Sequence, residues 1–225
     1  MKRVCLLLVL IFALSACNNA AGNIDEKNTP MEVNVKIAKN TENSTITKEN
    51  ALKSSLEFLA EDKNGLSVWD YKTAYEMCEG ALSAYYKAIW NGTDINLNAF
   101  FDNKSLKQYM QKKVTSQHEL FRKNKLTDNL VTDIDVGARK VELVGEDNPY
   151  FYFKLDTRVK KDVGSFAEPT EFLVQNLNGR LVITDWYSSG KDSYDSMVRG
   201  ENQTIDNPDI WNNNEWVKKL EINAN

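Results

Sequence analysis

Phe172-Leu173-Val174-Gln175-Asn176-Leu177-Asn178-Gly179-Arg180-Leu181-Val182-Ile183-Thr184-Asp185-Trp186-Tyr187 is the stretch whose reading decides the fold. Two runs rich in β-branched, aliphatic and aromatic residues flank Asn178-Gly179. Asn-Gly between such runs marks a hairpin with a type I′ turn, because both central residues must take positive φ. A third strand is therefore expected over Thr170–Leu177 and a fourth over Arg180–Ser188. Working upstream, Phe151, Phe153, Leu155 and Val159 alternate with Tyr152, Lys154 and Arg158, a second strand. Earlier still, Leu130, Thr132, Ile134 and Val136 alternate with Asp133 and Asp135. After Gly137 the apolar positions change parity to Val141 and Leu143, as a β-bulge would make them. Four strands joined by short turns predict an antiparallel meander.

Before the strands the period changes. Ala74, Cys78, Ala81, Leu82, Tyr85 and Ile89 recur at three- and four-residue spacing, one face of a helix. Asp70 stands at its N-cap position, and Asn91-Gly92 is its stop. Gly80 inside it costs about 1 kcal/mol relative to Ala and predicts close packing against another backbone. Asn96–Phe101 reads as a brief helical turn. A further helix is expected over Lys104–Lys123, with Leu106, Met110, Val114 and Phe121 inward. Lys107, Lys112, Lys113 and Arg122 read as its solvated face. Leu52, Leu56, Leu59 and Ala60 predict a short helix ended by Asn64-Gly65. From Ser189 the chain turns polar, and Trp211, Trp216, Val217 and Leu220 predict a short helix packing back onto the domain.

The N-terminus carries an address. Met1-Lys2-Arg3 is positive, and Val4–Leu14 is almost wholly apolar. That run is shorter than the about 20 residues a membrane span needs and has the size of a signal-peptide core. Leu14-Ser15-Ala16-Cys17 closes it and resembles the bacterial lipobox. The resemblance implies removal of residues 1–16, a diacylglyceryl group on Cys17, and fatty-acyl anchoring at the outer face of a cell membrane or at an outer membrane. Two acyl chains give stable anchoring where one does not. Residues 17–50 are rich in Asn, Thr, Lys and Glu, a composition that cannot offset its own ordering entropy. They read as a flexible tether. Within it, Val33–Ile37 alternates like a strand. Residues 51–225 make one domain, with a polar extension from about 189.

Composition excludes several activities. The formal net charge is −4, and loss of Lys2 and Arg3 with the signal takes it to −6. An acidic chain is poorly suited to nucleic acid and to anionic headgroups. Of three cysteines, Cys5 leaves with the signal and Cys17 takes the lipid, so Cys78 has no disulfide partner. It reads as a small buried hydrophobe. The one histidine, His118, sits among Gln117, Glu119, Arg122 and Lys123 and reads as a surface residue. It completes neither a zinc site nor a Ser-His-Asp or Cys-His pairing. The ten glycines form no phosphate loop. No cofactor and no metal are expected.

Helices first and then a bent meander resemble the nuclear transport factor 2-like fold, in which a strongly curved sheet wraps a long helix to make a cone. The hairpin quoted above, with its strand ending Asp185-Trp186-Tyr187, is similar to the last hairpin of such domains. A cystatin-like α+β domain is the competing resemblance, but it usually has one long helix where two are expected here. The fold implies no single activity. Members include isomerases, cyclases and dehydratases, and also assembly or binding domains, among them subunits of conjugation machinery. An isomerase would need a carboxylate base in the cone and an oxyanion donor opposite it. Asp156 and Asp185 are the candidate bases and Tyr85, Tyr152 and Tyr187 the candidate donors, yet both carboxylates read as solvated or capping groups. Catalysis is therefore not expected. A ligand-binding lipoprotein would line a pocket, for which Tyr85, Trp90, Tyr152, Asp185 and Trp186 are the candidates. For Trp69, Trp90 and Trp186 the favoured reading is that they simply fill the core of the cone. An envelope assembly subunit, of a conjugation or secretion machine, would use an outer surface, for which Trp211 and Trp216 are the candidates.

Overall fold

The computed structural model describes residues 58–223, all within one unit, Glu49–Asn225. The lipobox, the tether, the Val33–Ile37 alternation and Leu52 and Leu56 lie outside the described residues. The architecture is α+β. Helices α1 (Tyr71–Asn91) and α2 (Lys104–Lys123) precede strands β1 (Val131–Val144), β2 (Tyr150–Lys161), β3 (Gly164–Leu177) and β4 (Arg180–Ser188). The short helix α3 (Tyr194–Arg199) and α4 (Asn214–Asn223) follow. The strands pair in the order β1-β2-β3-β4, each antiparallel to the next, the meander expected from the sequence.

The hairpin forms as its sequence demands. Asn178 and Gly179 have φ of 57° and 91°, the two positive values of a type I′ turn. Thr170 pairs with Ser188 and Phe172 with Trp186. β3 begins six residues earlier than its apolar run, at Gly164, because Ser165–Pro169 pair with Asp156–Lys160 of β2. The β1 bulge falls between Ala138 and Lys140 rather than at Gly137. Parity located the irregularity to within two residues, and the extra residue is Arg139.

The inner face of the sheet meets α1 and α2. Phe151, Phe153, Leu155 and Val159 from β2, Phe172 and Val174 from β3, and Trp186 from β4 are buried against Ala74, Cys78, Leu82 and Tyr85 of α1 and Leu106 and Met110 of α2. Alternation in β2 arises from this: odd positions face the helices and even ones do not. Trp186 lies at the centre, edge-on to Tyr85 with ring centroids 5.4 Å apart and tilted on Phe172 at 4.7 Å.

Several expectations are corrected. Leu59 and Ala60 are extended, not helical: Leu59 bridges Arg180, and the Ala60 amide donates to the Gly179 carbonyl. That pairing, with Leu181 N–H to the Phe58 carbonyl and Ile183 N–H to the Phe100 carbonyl, covers the outer edge of β4. Asp70 precedes α1, but its carboxylate does not cap it. It instead accepts from Ser67 and Glu61 and closes the turn Val68–Asp70. A Cβ at Gly80 would meet only the Phe100 ring, at an ordinary 3.7 Å, so no backbone approaches there. Trp69, expected in the core, is 79% exposed. The expected C-terminal helix is α4, with Leu220 buried.

Candidate functional site

The most unusual chemistry lies where α3 docks on the body. Lys113 points from α2 into the interior with its side chain fully buried. This overturns its assignment to a solvated face. Leu106, Met110, Lys113, Val114 and Gln117 all lie on the buried stripe, at i, i+4, i+7, i+8 and i+11. The Lys113 ammonium donates to Asp195 Oδ2 at 2.6 Å and to Ser188 Oγ at 3.1 Å. It stands 5.0 Å from the ring centroids of both Tyr85 and Trp186, a two-sided cation–π environment. Asp195 is fully used: Oδ1 accepts from the Tyr109 hydroxyl at 2.7 Å, and Oδ2 also accepts from the Ser188 amide. Burial, and then the Asp195 charge, push the Tyr109 phenol up, so it remains a donor.

A second buried pair faces the first from the same helix. Arg199, one turn after Asp195, makes a bidentate fork on Asp185 with both N···O distances 2.9 Å. Trp211 Nε1 donates to Asp185 Oδ1 at 2.8 Å. The guanidinium is ringed by Tyr187, Trp211 and Trp216 at 5.3–5.6 Å. Burial opposes its charge, but Asp185, together with Asp195 and Tyr109, outweighs burial and holds its pKa above the ordinary value. The short α3 thus carries one acid and one base, each answered by the opposite charge on the body.

Glu168, half-buried, is a further acid at this end of the sheet. It accepts from the Tyr86 hydroxyl at 3.0 Å. A Cβ on Gly190 would stand 2.6 Å from Glu168 Oε1, so the loop after β4 passes close over this carboxylate. Burial raises the Glu168 pKa, with the nearby Lys113 charge and the Tyr86 hydrogen bond acting against that rise. Thr157 and Thr170, fully buried on the same face, keep hydroxyls without a partner.

The residues singled out from sequence do not converge. Tyr85 and Trp186 meet on the inner face. Tyr152 and Asp185 lie on the outer face, since Leu173 of β3 pairs with both and packs in the separate outer cluster with Tyr187 and Ile205. Trp90 belongs to the inner core, but its ring meets Phe121 at 4.1 Å and Phe166 at 5.9 Å and lies under the Lys161 ammonium at 3.7 Å. The expected pocket is therefore not assembled by these five. Asp185, read as a solvated strand-end carboxylate, is buried and saturated by Arg199, Trp211 and its neighbour's amide. Asp156 is half-exposed and paired with Arg139. Neither candidate base accepts from a tyrosine hydroxyl. Trp211, expected as a partner surface, is 2% exposed, because its indole N–H is committed to Asp185; Trp216 is half-buried against it.

Cys78 is fully buried, and burial pushes its thiol up, the condition of a packed thiol. His118 is half-buried, with Nδ1 3.1 Å from the Ile89 carbonyl oxygen. Among the described residues no group of three or more His, Cys, Asp or Glu side chains is placed to hold a metal ion. Sequence reading missed Lys113, Asp195, Glu168 and Arg199. The one signal for them was Lys113 standing in phase with an apolar stripe. Neither a family model, nor a curated protein, nor a solved structure matches this chain.

Proposed function

We propose that this chain is a lipid-anchored extracytoplasmic lipoprotein whose domain, of nuclear transport factor 2-like type, acts by binding at the cell envelope and not by catalysis. The address rests on Leu14-Ser15-Ala16-Cys17 behind a signal-sized apolar run. The fold reading is supported by two helices laid on one face of a four-stranded meander whose register is broken by bulges in β1 and at Leu173/Val174.

One observation carries the choice of binding over catalysis. The position an isomerase would give to substrate, between helices and sheet, is occupied by Trp186, Phe172, Phe153, Tyr85 and the Lys113–Asp195 pair, all of them buried. The Lys113 ammonium, the Asp195 carboxylate and the Trp186 indole are engaged with one another, Ser188 and Tyr109. The domain then works through its outer surface, on a protein of the envelope such as a component of an assembly machine.

The experiment pairs an address readout with a surface readout. Cells making Cys17→Ser should accumulate unlipidated precursor, while the parent's mature N-terminus carries a diacylglyceryl mass on Cys17. A photo-crosslinking residue at exposed positions such as Val163 or Met197 should capture a discrete envelope protein in intact cells. Purified protein that instead retains a small molecule between sheet and helices would overturn the binding-surface reading in favour of a ligand carrier. Maturation of Cys17→Ser as a lipidated protein would overturn the address.

A further inference from the structure

The end of the domain where the chain enters from its N-terminal side is unusual. Trp69 is 79% exposed, Val68 64% and Leu59 60%, with Tyr71 and Leu177 also exposed. Single exposed apolar residues are ordinary. Here they gather around one place. Leu59 bridges Arg180, the hairpin partner of Leu177. The Glu61 amide donates to Asp70 Oδ1 at 2.7 Å, which brings the entering chain against the turn that bears Val68 and Trp69.

That turn is rigidly built. Asp70 is buried, and its Oδ2 accepts from the Ser67 amide at 2.7 Å and the Ser67 hydroxyl at 3.0 Å. Ser67 Oγ in turn accepts from the Trp69 amide at 3.3 Å. Asn176 Nδ2 donates to the carbonyls of Asp62 and Gly65, tying the loop to the end of β3. These five hydrogen bonds fix the turn and the loop before it, and their product is an indole held in solvent. A pre-organised aromatic anchor loses little entropy when it docks.

We propose that this end of the domain seats on the lipid bilayer, with Trp69 at the headgroup–acyl boundary and Val68 and Leu59 beside it. The proposal rests on the lipoprotein reading above. It commits to lipid because of where the chain enters. Between Cys17 and Phe58 lie about 40 residues, which reach at most about 140 Å, so lipidated Cys17 keeps a bilayer within reach of this end. Trp is the side chain best suited to that boundary, being an apolar plane with one polar N–H. Charges around the patch are of both signs: Glu61 and Asp62 against Lys63 and Lys72. Docking is therefore apolar in origin and insensitive to salt, unlike attachment by a basic patch.

The test uses the purified mature lipidated chain in phosphatidylcholine vesicles, with and without bromine on the acyl chains. Bromine quenches indoles that enter the bilayer. The expected result is a bromine-dependent loss of fluorescence that Trp69→Phe removes in large part, although the other four tryptophans remain. Val68→Asp, which charges the patch without touching the indole, should reduce the quenching too. Equal quenching in the parent and Trp69→Phe overturns the proposal. So does protection of Trp69 from aqueous iodide only in native membranes and not in pure lipid, which would assign the site to a protein. The mass of the N-terminal Cys17 in the same sample separates the two readings. Lipidated Cys17 with no Trp69-dependent quenching overturns the docking alone, whereas an unlipidated Cys17 overturns the anchor on which it rests.

Discussion

Lys113, fully buried, and Glu168, half-buried, are two charged side chains with opposite consequences. Lys113 is stabilised by what surrounds it: a carboxylate at 2.6 Å, a hydroxyl and two aromatic faces. Removing one partner of a buried pair leaves the other charge desolvated and alone, at a cost of about 3–5 kcal/mol. Lys113→Met should cost that much, and Lys113→Met with Asp195→Asn should recover part of it, since no charge is then stranded. Urea denaturation of the three proteins measures this, and a double variant no better than the single would show that packing, not charge, sets the loss. Glu168 is the reverse case. Burial raises its folded pKa above the ordinary 4.5, so between those values the folded state binds more protons than the unfolded. Its favourable contribution is complete below about pH 4.5 and is lost as pH climbs through the raised value. Lys113, Asp195 and Tyr86 face this carboxyl, and Lys113 only moderates the effect. Glu168→Gln keeps an acceptor for the Tyr86 hydroxyl and removes the titration. The variant should therefore gain on the parent as pH rises from acid to neutral, read as the difference in urea midpoints. A difference that is flat with pH would place Glu168 in a solvated setting.

Elements whose partners are near in sequence were the legible ones. α1 and α2 follow from three- and four-residue spacing, and β4 from Asn178-Gly179 and the run after it. Gly92 illustrates why such a stop works. It sits at φ 69°, ψ 24°, and its amide closes on the Ala88 carbonyl. A Cβ there would also meet the His118 ring at 3.2 Å. Gly92→Ala should thus cost about 1–2 kcal/mol from the left-handed backbone, and Gly92→Asn less. Equal midpoints for Gly92, Ala and Asn would mean that the helix end relaxes freely. What stayed illegible shares one physical feature. Asp195 answers Lys113 across 82 residues and Tyr109 across 86. Periodicity reports which face of an element is apolar, but says nothing about which distant charge will neutralise a buried one. So Lys113 read as solvated, Asp185 as a capping carboxylate, and the segment beyond Ser189 as an appendage. Trp69 was misplaced for a related reason: composition says that an indole belongs in a core, while Ser67 and Asp70 hold this one out.

At the scale of the whole molecule, the segment after β4 is part of the fold and not a tail. It supplies Asp195 to Lys113, Arg199 and Trp211 to Asp185, and the Gly190 loop over Glu168. A chain ending at Ser188 keeps every strand and both long helices. It nevertheless strands a cation in α2 and an anion in β4, each desolvated by the side chains that remain. Each stranded charge costs several kcal/mol, against a total stability of about 5–15 kcal/mol for a domain. Such a chain should therefore lack a cooperative urea transition. A chain ending at Asn213 loses only α4, with Leu220 and the Trp216 face of the Arg199 enclosure, and keeps both ion pairs. It should fold and unfold cooperatively at a lower midpoint. Far-UV circular dichroism with urea titration distinguishes them. Cooperative unfolding of the Ser188 chain near the parent's midpoint would mean that water reaches Lys113 and Asp185 once α3 is gone. The two buried pairs would then serve to hold α3 in place, and would not be a condition of folding.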